Sequence, residues 1–161
     1  MLSYLVLKTE MHAVICKIAM AYKKLLTKRM EFSASHRYWN PDWSEEKNKE
    51  VFGKSAGPYG HGHNYRLEIT VEGDVDPRTG MIINLYDLKV IMKDVLEDFD
   101  HKYLNKDNPH FKSLIPTTEN IARVMWDIFH EKLKSNPSCA LYRVRLYETD
   151  DLYVDYRRTE Q

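Results

Sequence analysis

The 161-residue sequence is poor in cysteine, glycine and proline, and it has no long run of apolar residues. Two cysteines cannot form the disulfide framework of a small secreted domain, so a reducing compartment is expected. Six glycines and six prolines exclude a collagen-like or linker-like chain. No apolar run reaches the roughly 18 residues of a membrane-spanning helix. These shortages predict a globular domain with no membrane partner.

An excess of one charge is also missing, because 24 lysines and arginines balance 24 aspartates and glutamates. A general electrostatic footprint for nucleic acid is therefore not expected. The first residues have neither the order of a secretory signal nor the composition of a transit peptide, which predicts a cytoplasmic protein. We expect residues 1–21 to be an N-terminal extension outside the fold, and residues 22–161 to form a single domain.

Hydrophobic periodicity predicts an α+β fold with four antiparallel strands and two helices inserted between the strand pairs. Alternation of apolar and polar residues indicates strands at about 22–37 and 61–73. Two shorter strands are predicted to close the chain. On the first of them, Tyr142, Val144, Leu146 and Glu148 share the buried face, and on the second, Leu152, Val154 and Tyr156 share one face.

The intervening segments carry the helical patterns. One helix is predicted over about 85–99 with Asn84 as its N-cap, and a second after Pro116 with Thr117 or Thr118 as its cap. Residues 43–50 look like a short polar helical turn, and residues 51–60 like a loop. Two helices can cover only one face of the sheet, so self-association is expected.

Histidines at positions 61 and 63 are the first chemical signal. Residues i and i+2 of a strand point to the same side, so both imidazoles face one way. His36 ends the buried face of the preceding strand and is the candidate third ligand. Three histidines with an open fourth position form a catalytic zinc pattern. The alternative is a set of polar strand residues without a metal.

Three other polar groups are candidates for a site. Asp100 and His101 follow the first long helix, where an aspartate can orient an imidazole that relays a proton, or where the histidine simply ends the helix. The segment 117–119 is either a helix cap or part of a site. Glu148 continues a buried strand face, where an unpaired carboxylate is costly, so it should meet a hydrogen-bond donor, and a ligand with paired N–H groups would serve.

Seven segments in order resemble those of one family of pterin enzymes. They are FSASHR (32–37), FGK (52–54), GHGHNY (60–65), VDPRTGMIINLYDLK (75–89), FDHKYLN (99–105), PTTEN (116–120) and YETDD (147–151). The chain resembles 6-pyruvoyl-tetrahydropterin synthase and its relative 6-carboxy-tetrahydropterin synthase. The resemblance covers about residues 22–158.

The resemblance implies the fold, the assembly and the reaction. It implies a tunnelling fold in which the strands of three subunits close into a barrel, and two trimers stack into a hexamer. It also implies zinc-dependent conversion of 7,8-dihydroneopterin triphosphate to 6-pyruvoyl-tetrahydropterin, with elimination of triphosphate. A Lewis acid on the side-chain hydroxyls would acidify the adjacent C–H bonds. The implied partners are this small-molecule substrate and further copies of the chain.

The resemblance also implies roles for individual residues. Zinc would be bound by the residues equivalent to His36, His61 and His63, and the pterin by Glu148. The segment Thr117, Thr118 and Glu119 would assist Glu148. Proton transfer would run through Asp100 and His101 of a neighbouring subunit. Lys54 is a candidate phosphate partner by charge and position alone, and a solvated loop lysine is the equal alternative.

One departure from the family pattern concerns the catalytic base. The family has a cysteine directly after FGK, whereas this sequence has Ser55. The spacing from Ser55 to His61 resembles the pyruvoyl-type enzymes more than the carboxy-type. Two alternatives therefore stay open beside a pyruvoyl-type lyase: the carboxy-tetrahydropterin reaction of queuosine-precursor synthesis, and a weakly active pterin-binding relative.

Overall fold

The computed structural model describes residues 24–158, and its centre is a single five-stranded sheet. In chain order the strands are β1 (Lys24–His36), β2 (His61–Gly73), β3 (Lys102–Tyr103), β4 (Cys139–Tyr147) and β5 (Tyr153–Tyr156), and they lie side by side in the order β3-β1-β2-β4-β5. The predicted extension, residues 1–21, lies outside the described residues. Among the helices of residues 24–158, none has both the length and the apolar composition to cross a membrane.

The two long strands form the backbone of the sheet. β1 is Lys24–His36 and β2 is His61–Gly73, and they pair antiparallel along their whole length. Their register places His36 opposite His61 and Ala34 opposite His63. The predicted alternation is confirmed, because Phe32, Ala34 and His36 of β1 are all buried. The ends of the two strands thus bring three histidines to one end of the sheet.

The fourth strand departs from the predicted pattern at Tyr142. β4 is Cys139–Tyr147 and pairs with β2, but the register shifts where Thr70 pairs with Arg143 and Val71 with Leu141. Tyr142 is therefore the extra residue of a β-bulge, which reverses the alternation. Leu141, and not Tyr142, joins Val144 and Leu146 in the core. The prediction that Tyr142 lies on the buried face is wrong.

The two edges of the sheet differ from the predicted four-strand arrangement. β5, Tyr153–Tyr156, pairs antiparallel with β4 and forms one edge. At the other edge the structure adds β3, Lys102–Tyr103, which pairs parallel with Ala34 and Ser35. The described sheet is therefore mixed and five-stranded, where four antiparallel strands were predicted. A two-residue strand is too short to leave a periodic signal in the sequence.

Residues 24–158 contain four α-helices: the two predicted long helices, a short helix near the predicted turn, and one turn that was not predicted. α1 is Glu45–Phe52, α2 is Leu85–Leu96, α3 is the single turn Leu104–Asp107, and α4 is Thr118–Leu133. The predicted caps are confirmed for the two long helices, since Asn84 accepts from the N–H of Tyr86 and Thr117 from that of Asn120. The predicted loop after α1 contains a 3₁₀ turn at Gly53–Ala56.

The two faces of the sheet have opposite chemistry. One face packs against α2 and α4 and forms the core, whose fully buried side chains include Leu67, Ile69, Leu88 and Met125. On the other face, Arg29 pairs with Glu68 at 2.7 Å and Arg145 pairs with Asp155 at 2.6 Å. This face is charged rather than apolar, so it does not need a hydrophobic cover.

Candidate metal and pterin site

Two strand ends and one glycine position the three histidines. His36 is the last residue of β1, and His61 and His63 are at the start of β2 on the same side of that strand. Gly60 immediately precedes them with a φ of +69°. A Cβ at this position would lie 2.7 Å from the carbonyl oxygen of His36. Only glycine allows this close approach, which brings His61 against His36.

The three imidazoles and one carboxylate converge. One possible ligand atom from each of His36, His61, His63 and Glu148 lies within 4.8 Å of all the others. The ring centroids of His36 and His61 are 4.5 Å apart, and those of His61 and His63 are 5.1 Å apart. The structure therefore brings together the three predicted ligands. It also adds Glu148 to the cluster.

Burial and one hydrogen bond set the state of His36. The residue is fully buried, and its Nδ1 lies 2.8 Å from the backbone oxygen of Pro116. A carbonyl can only accept, so the proton is on Nδ1 and Nε2 is left as an acceptor. Burial lowers the pKa of His36 to about 4 and also lowers that of His61. Both imidazoles are therefore neutral at pH 7.

His63 is the third histidine of the cluster. Its Nε2 is buried and makes no hydrogen bond to any of residues 24–158. The nearest charged atom is Oε1 of Glu148, at 3.3 Å. A buried ring nitrogen without a hydrogen bond is costly unless another group occupies it.

Glu148 is held from two further directions. Its Oε2 accepts a hydrogen bond from the hydroxyl of Thr118 and another, at 3.4 Å, from the hydroxyl of Tyr38. Its side chain is only 10% exposed. Burial, followed by the charge of Glu148, raises the pKa of Tyr38 to about 12, so Tyr38 remains a donor. The carboxylate is thus fixed in orientation before any ligand arrives.

The sequence analysis missed Tyr38, although a signal for it was present. Phe32, Ala34 and His36 alternate on the buried side of β1, and Tyr38 is the next residue with the same spacing. Its ring lies 5.0 Å from that of His36 and 6.1 Å from that of His61. Extending the alternation two residues past the strand end would have included it.

The three residues of the predicted segment 117–119 separate into different roles. Thr117 caps α4, Thr118 is buried and donates to Glu148, and Glu119 is exposed in the first turn. One residue of the three therefore reaches the cluster. The other two have the positions expected of a helix start.

Asp100 and His101 do not join this cluster within the described chain. Asp100 Oδ1 accepts a 2.8 Å hydrogen bond from the N–H of Ser33 and lies 3.0 Å from His101 Nδ1. The N–H of His101 donates to the carbonyl oxygen of Ser33 at 2.6 Å. These bonds attach the pair to the outer edge of β1. The imidazole of His101 is 81% exposed and its backbone has a φ of +55°.

Ser55 and Lys54 lie on the 3₁₀ turn after α1. The carbonyl oxygen of Ser55 accepts from the N–H of Tyr38 at 2.9 Å, which holds the turn beside the histidine cluster. Ser55 is half-buried, whereas Lys54 is exposed. Their side chains make no hydrogen bond or ion pair to any of residues 24–158.

The donor set fits a divalent metal ion with nitrogen ligands. Two of the imidazoles are held neutral by burial, and metal binding requires the neutral form. The hydrogen bond from His36 Nδ1 to the backbone oxygen of Pro116 fixes the tautomer of this ring, as is usual for metal-bound histidines. The Nε2 of His63 is a buried nitrogen that makes no hydrogen bond within residues 24–158, so it is available as a metal ligand. Three histidines with a carboxylate beside them can therefore hold a metal.

Comparison with known proteins places this site in a family. The family model described as 6-pyruvoyl tetrahydropterin synthase matches residues 25–159. The chain belongs to the 6-pyruvoyl tetrahydropterin synthase family. It is an enzyme of this type, as the sequence motifs predicted.

Named relatives and a solved structure agree with this assignment. The chain is 45% identical over 133 residues to the 6-pyruvoyl tetrahydrobiopterin synthase of Pongo abelii, covering 82% of this chain and 90% of that protein. It is similar to the structure of the Caenorhabditis elegans 6-pyruvoyl tetrahydropterin synthase, with a TM-score of 0.80, 38% identity and coverage of 86% and 97%.

A more distant relative carries the name of the alternative reaction. The putative 6-carboxy-5,6,7,8-tetrahydropterin synthase of Archaeoglobus fulgidus is 35% identical over 98 residues, covering 61% of this chain and 76% of that protein. The 6-pyruvoyl tetrahydropterin synthase family is thus shown by sequence and fold together, and the resemblance to this family is confirmed.

Proposed function

We propose that this protein converts 7,8-dihydroneopterin triphosphate to 6-pyruvoyl-tetrahydropterin and triphosphate, with zinc bound by His36, His61 and His63. The observation that carries the proposal is the convergence of three imidazoles with an oriented carboxylate. Zinc favours imidazole nitrogen, and three histidine ligands leave a fourth position for a reacting oxygen. The cytoplasm is the proposed compartment.

Glu148 is proposed to anchor the pterin ring. A carboxylate can accept two parallel hydrogen bonds from the ring nitrogens that carry hydrogen, as a charge-assisted pair. Thr118 and Tyr38 both donate to Oε2, which leaves Oε1 as the freer acceptor. Because Oε1 also lies 3.3 Å from His63 Nε2, a ring bound to Glu148 would present its side chain to the histidine cluster.

A zinc ion on the three histidines would supply a Lewis acid for the hydroxyl oxygens of the substrate side chain. The protein must then remove and return protons while the triphosphate leaves. His36 cannot be the base, because its Nδ1 is committed to Pro116 and its pKa is lowered by burial. The base must come from residues outside the ligand set.

Asp100 and His101 are proposed to reach this site from a neighbouring subunit. Residues 24–32 of β1 have β2 on one side and no described strand on the other, and β5 has a neighbour only in β4. Such free edges favour pairing with another copy, and closure into a ring removes them. We propose trimers that pair into hexamers.

The direction of the strands makes such a contact productive. In the sheet, β5 runs antiparallel to β4, and β1 runs antiparallel to β2, so β1 of the next copy would continue the alternation beside β5. Asp100 and His101 are hydrogen-bonded to Ser33, near the C-terminal end of β1. In this arrangement, that end of β1 from the next copy would lie at the same end of the sheet as Glu148. An exposed His101 is available for this role.

One observation favours a second candidate, a pterin-binding relative with weak turnover. Ser55 occupies the position at which the family pattern has a cysteine. A serine hydroxyl is a far weaker acid than a thiol. Ser55 could act as a base only if a histidine took its proton during the reaction. The carboxy-type reaction is the third candidate.

One assay separates the three candidates. The protein is loaded with zinc and incubated with 7,8-dihydroneopterin triphosphate, and the products are identified by mass. We expect 6-pyruvoyl-tetrahydropterin with released triphosphate. A 6-carboxy product would assign the carboxy-type reaction, and bound but unchanged substrate would assign a pterin-binding protein.

A further inference from the structure

A second cavity next to the histidine cluster has a different chemistry. It has a volume of about 300 Å³ and lies between the segment that follows β1 and the segment that precedes α4. We call it the cationic pocket. Its lining residues are Arg37, Trp39, Pro41, Tyr103, Asn105, Lys106, Phe111, Lys112, Ser113, Leu114 and Ile115. Three of them carry positive charge, and none is an aspartate or glutamate.

The guanidinium of Arg37 is held rigidly in this pocket. It stacks on Trp39 with its central carbon 3.8 Å from the ring centroid, and its Nε donates to the carbonyl oxygen of Ala56 at 2.9 Å. Asn105 fixes the backbone of Arg37 through two hydrogen bonds of 2.8 and 2.9 Å. The terminal N–H groups of Arg37 find no acceptor within residues 24–158. The side chain is thus pre-organised, and its terminal N–H groups can donate hydrogen bonds to a ligand.

The two lysines are also without acidic partners. Lys106 lies over the ring of Tyr103 with its Nζ 5.6 Å from the centroid, and Lys112 is exposed at the other side of the pocket. Neither forms an ion pair with any of residues 24–158, although the protein as a whole is electrically balanced. The nearby Asp107 instead accepts a hydrogen bond from the N–H of Tyr103.

Neutral donors add to the charge at the same place. Ser113 contributes a hydroxyl, and the backbone N–H groups of Ser113 and Leu114 have no acceptor among the described residues. A phosphate group prefers this combination of guanidinium, ammonium and backbone N–H donors. Three cations in one pocket exceed what a single carboxylate would neutralise, which favours a ligand of several negative charges.

We propose that the cationic pocket binds a polyphosphate group. The pocket is joined to the histidine cluster through two chain segments, because Arg37 follows His36 directly and Ile115 precedes Pro116, the partner of His36. The polyphosphate can be the triphosphate tail of the substrate, or a free polyphosphate such as a nucleoside triphosphate. The first source rests on the proposed function, and the second does not.

Two matched double variants test this proposal. Lys106→Ala with Lys112→Ala removes two exposed cations from the pocket. Lys89→Ala with Lys93→Ala removes two exposed cations of α2 that lie outside it. Binding of inorganic triphosphate to the zinc-loaded protein is measured by calorimetry, with zinc content checked afterwards because triphosphate can chelate zinc. We expect the control to bind as the parent does and the pocket variant to bind about tenfold more weakly.

Equal triphosphate affinity in the two double variants, or no binding to the parent protein, would overturn the proposal. This readout needs no turnover, so it stands whether or not the synthase reaction is observed. Two further measurements identify the source. A raised KM for dihydroneopterin triphosphate with unchanged affinity for dihydroneopterin assigns the substrate tail, whereas an unchanged KM assigns a free polyphosphate. Weakened binding of dihydroneopterin itself would contradict the proposal, because that ligand has no phosphate.

Discussion

The histidine cluster and the Asp100–His101 pair differ in how completely one chain builds them. His36 is fully buried, has a fixed tautomer and faces two other histidines and an oriented carboxylate. His101 is 81% exposed, and within residues 24–158 its bonds are to its neighbour Asp100 and to Ser33 at the edge of β1. The candidate metal half of the site, which we call the finished half, is thus built within one subunit. The half proposed for proton transfer, which we call the exposed half, faces outward, where another subunit can meet it.

The largest expected effect comes from removing a ligand of the finished half. His61→Ala should reduce bound zinc from about one ion per chain to almost none, because a site of three histidines cannot lose one without losing most of its affinity. Synthase activity should disappear with the metal. Elemental analysis and a product assay measure both results.

His110 provides the control, because it is exposed and lies apart from the cluster. His110→Ala should keep zinc and activity. Retention of zinc by His61→Ala would show that the ligands are elsewhere.

The second prediction tests whether the two halves meet across a subunit boundary. His61→Ala and His101→Ala should each be inactive, and only His101→Ala should retain zinc. Mixed by unfolding and reassembly in equal amounts, the two variants should recover about a quarter of the parent activity. This fraction follows if each site draws its two halves from adjacent, randomly chosen subunits of a ring.

Recovery near zero would contradict the shared site. A folded 19.1 kDa monomer in light scattering would contradict it independently. Recovery that required no reassembly step would indicate rapid subunit exchange, which the same light-scattering experiment can follow.

The histidine half of the site was largely predictable from sequence, and the reason is periodicity. Alternation along β1 places His36 on the same side as Phe32 and Ala34, and the spacing of two residues places His61 and His63 together. These are local rules that no distant contact overrides. The caps at Asn84 and Thr117 were predictable for the same reason, because each is set by its own helix.

Features that depend on contacts between distant segments were not predictable. The bulge at Tyr142 arises from pairing between β4 and β2, and the sequence of β4 alone shows no sign of it. The approach of Glu148 to His63 depends on the same pairing. The role of Ser55, and the placement of Asp100 and His101 at the site of a neighbouring subunit, came from resemblance. Within residues 24–158, the side chains of these three residues make no hydrogen bond or ion pair with His36, His61 or His63.

The third prediction concerns Glu148, the carboxylate proposed to anchor the pterin beside the histidine cluster. Glu148→Gln keeps the shape but loses the charge and exchanges one acceptor for a donor. Pterin binding should weaken by about 1.5–3 kcal/mol, the range for a hydrogen bond to a charged group. Glu119→Gln is the matched control. Because Glu119 is exposed, the affinity of this variant protein for pterin should equal that of the parent. Calorimetry with a dihydropterin compares the two, and equal losses would move the anchor away from Glu148.

The fourth prediction concerns the pH dependence of stability that follows from the burial of His36. The pKa of His36 is about 4 in the folded, zinc-free protein, below the ordinary value near 6.5. Between these two pH values the unfolded chain binds more protons than the folded chain. The contribution of neutral His36 to the free energy of unfolding is therefore fully present above pH 6.5 and is lost as pH falls toward 4. The free energy of unfolding should decrease on the order of 1–2 kcal/mol from pH 7 to pH 5. Denaturant titrations of zinc-free protein measure it.

His36→Asn removes the titrating ring and keeps a donor for Pro116. Its stability should therefore vary less between pH 7 and pH 5 than that of the parent. Asp100 does not confuse the comparison, because its pKa is lowered from 3.8. Its carboxylate gains a proton, and its contribution to stability is lost, only as the pH falls below about that value. An identical pH dependence in the variant and the parent would show that His36 is not the group responsible.

The smallest effect is expected at Ser55, and it decides whether proton transfer belongs wholly to the exposed half. Ser55 lies beside the finished half, because its backbone oxygen holds Tyr38 next to the histidine rings. A thiol at this position would be partly ionised at neutral pH, whereas the hydroxyl is not. General-base catalysis typically raises a reaction rate by about 10²–10⁴-fold, and a thiol at position 55 should restore part of this increase. Ser55→Cys should therefore raise kcat by about tenfold or more at equal zinc content, with Ser135→Cys, at an exposed position outside both sites, as a control for an added thiol. Equal rates for Ser55→Cys and the parent would assign the proton transfer to Asp100 and His101 alone. In that case the contact between subunits, rather than the loop after α1, sets the rate.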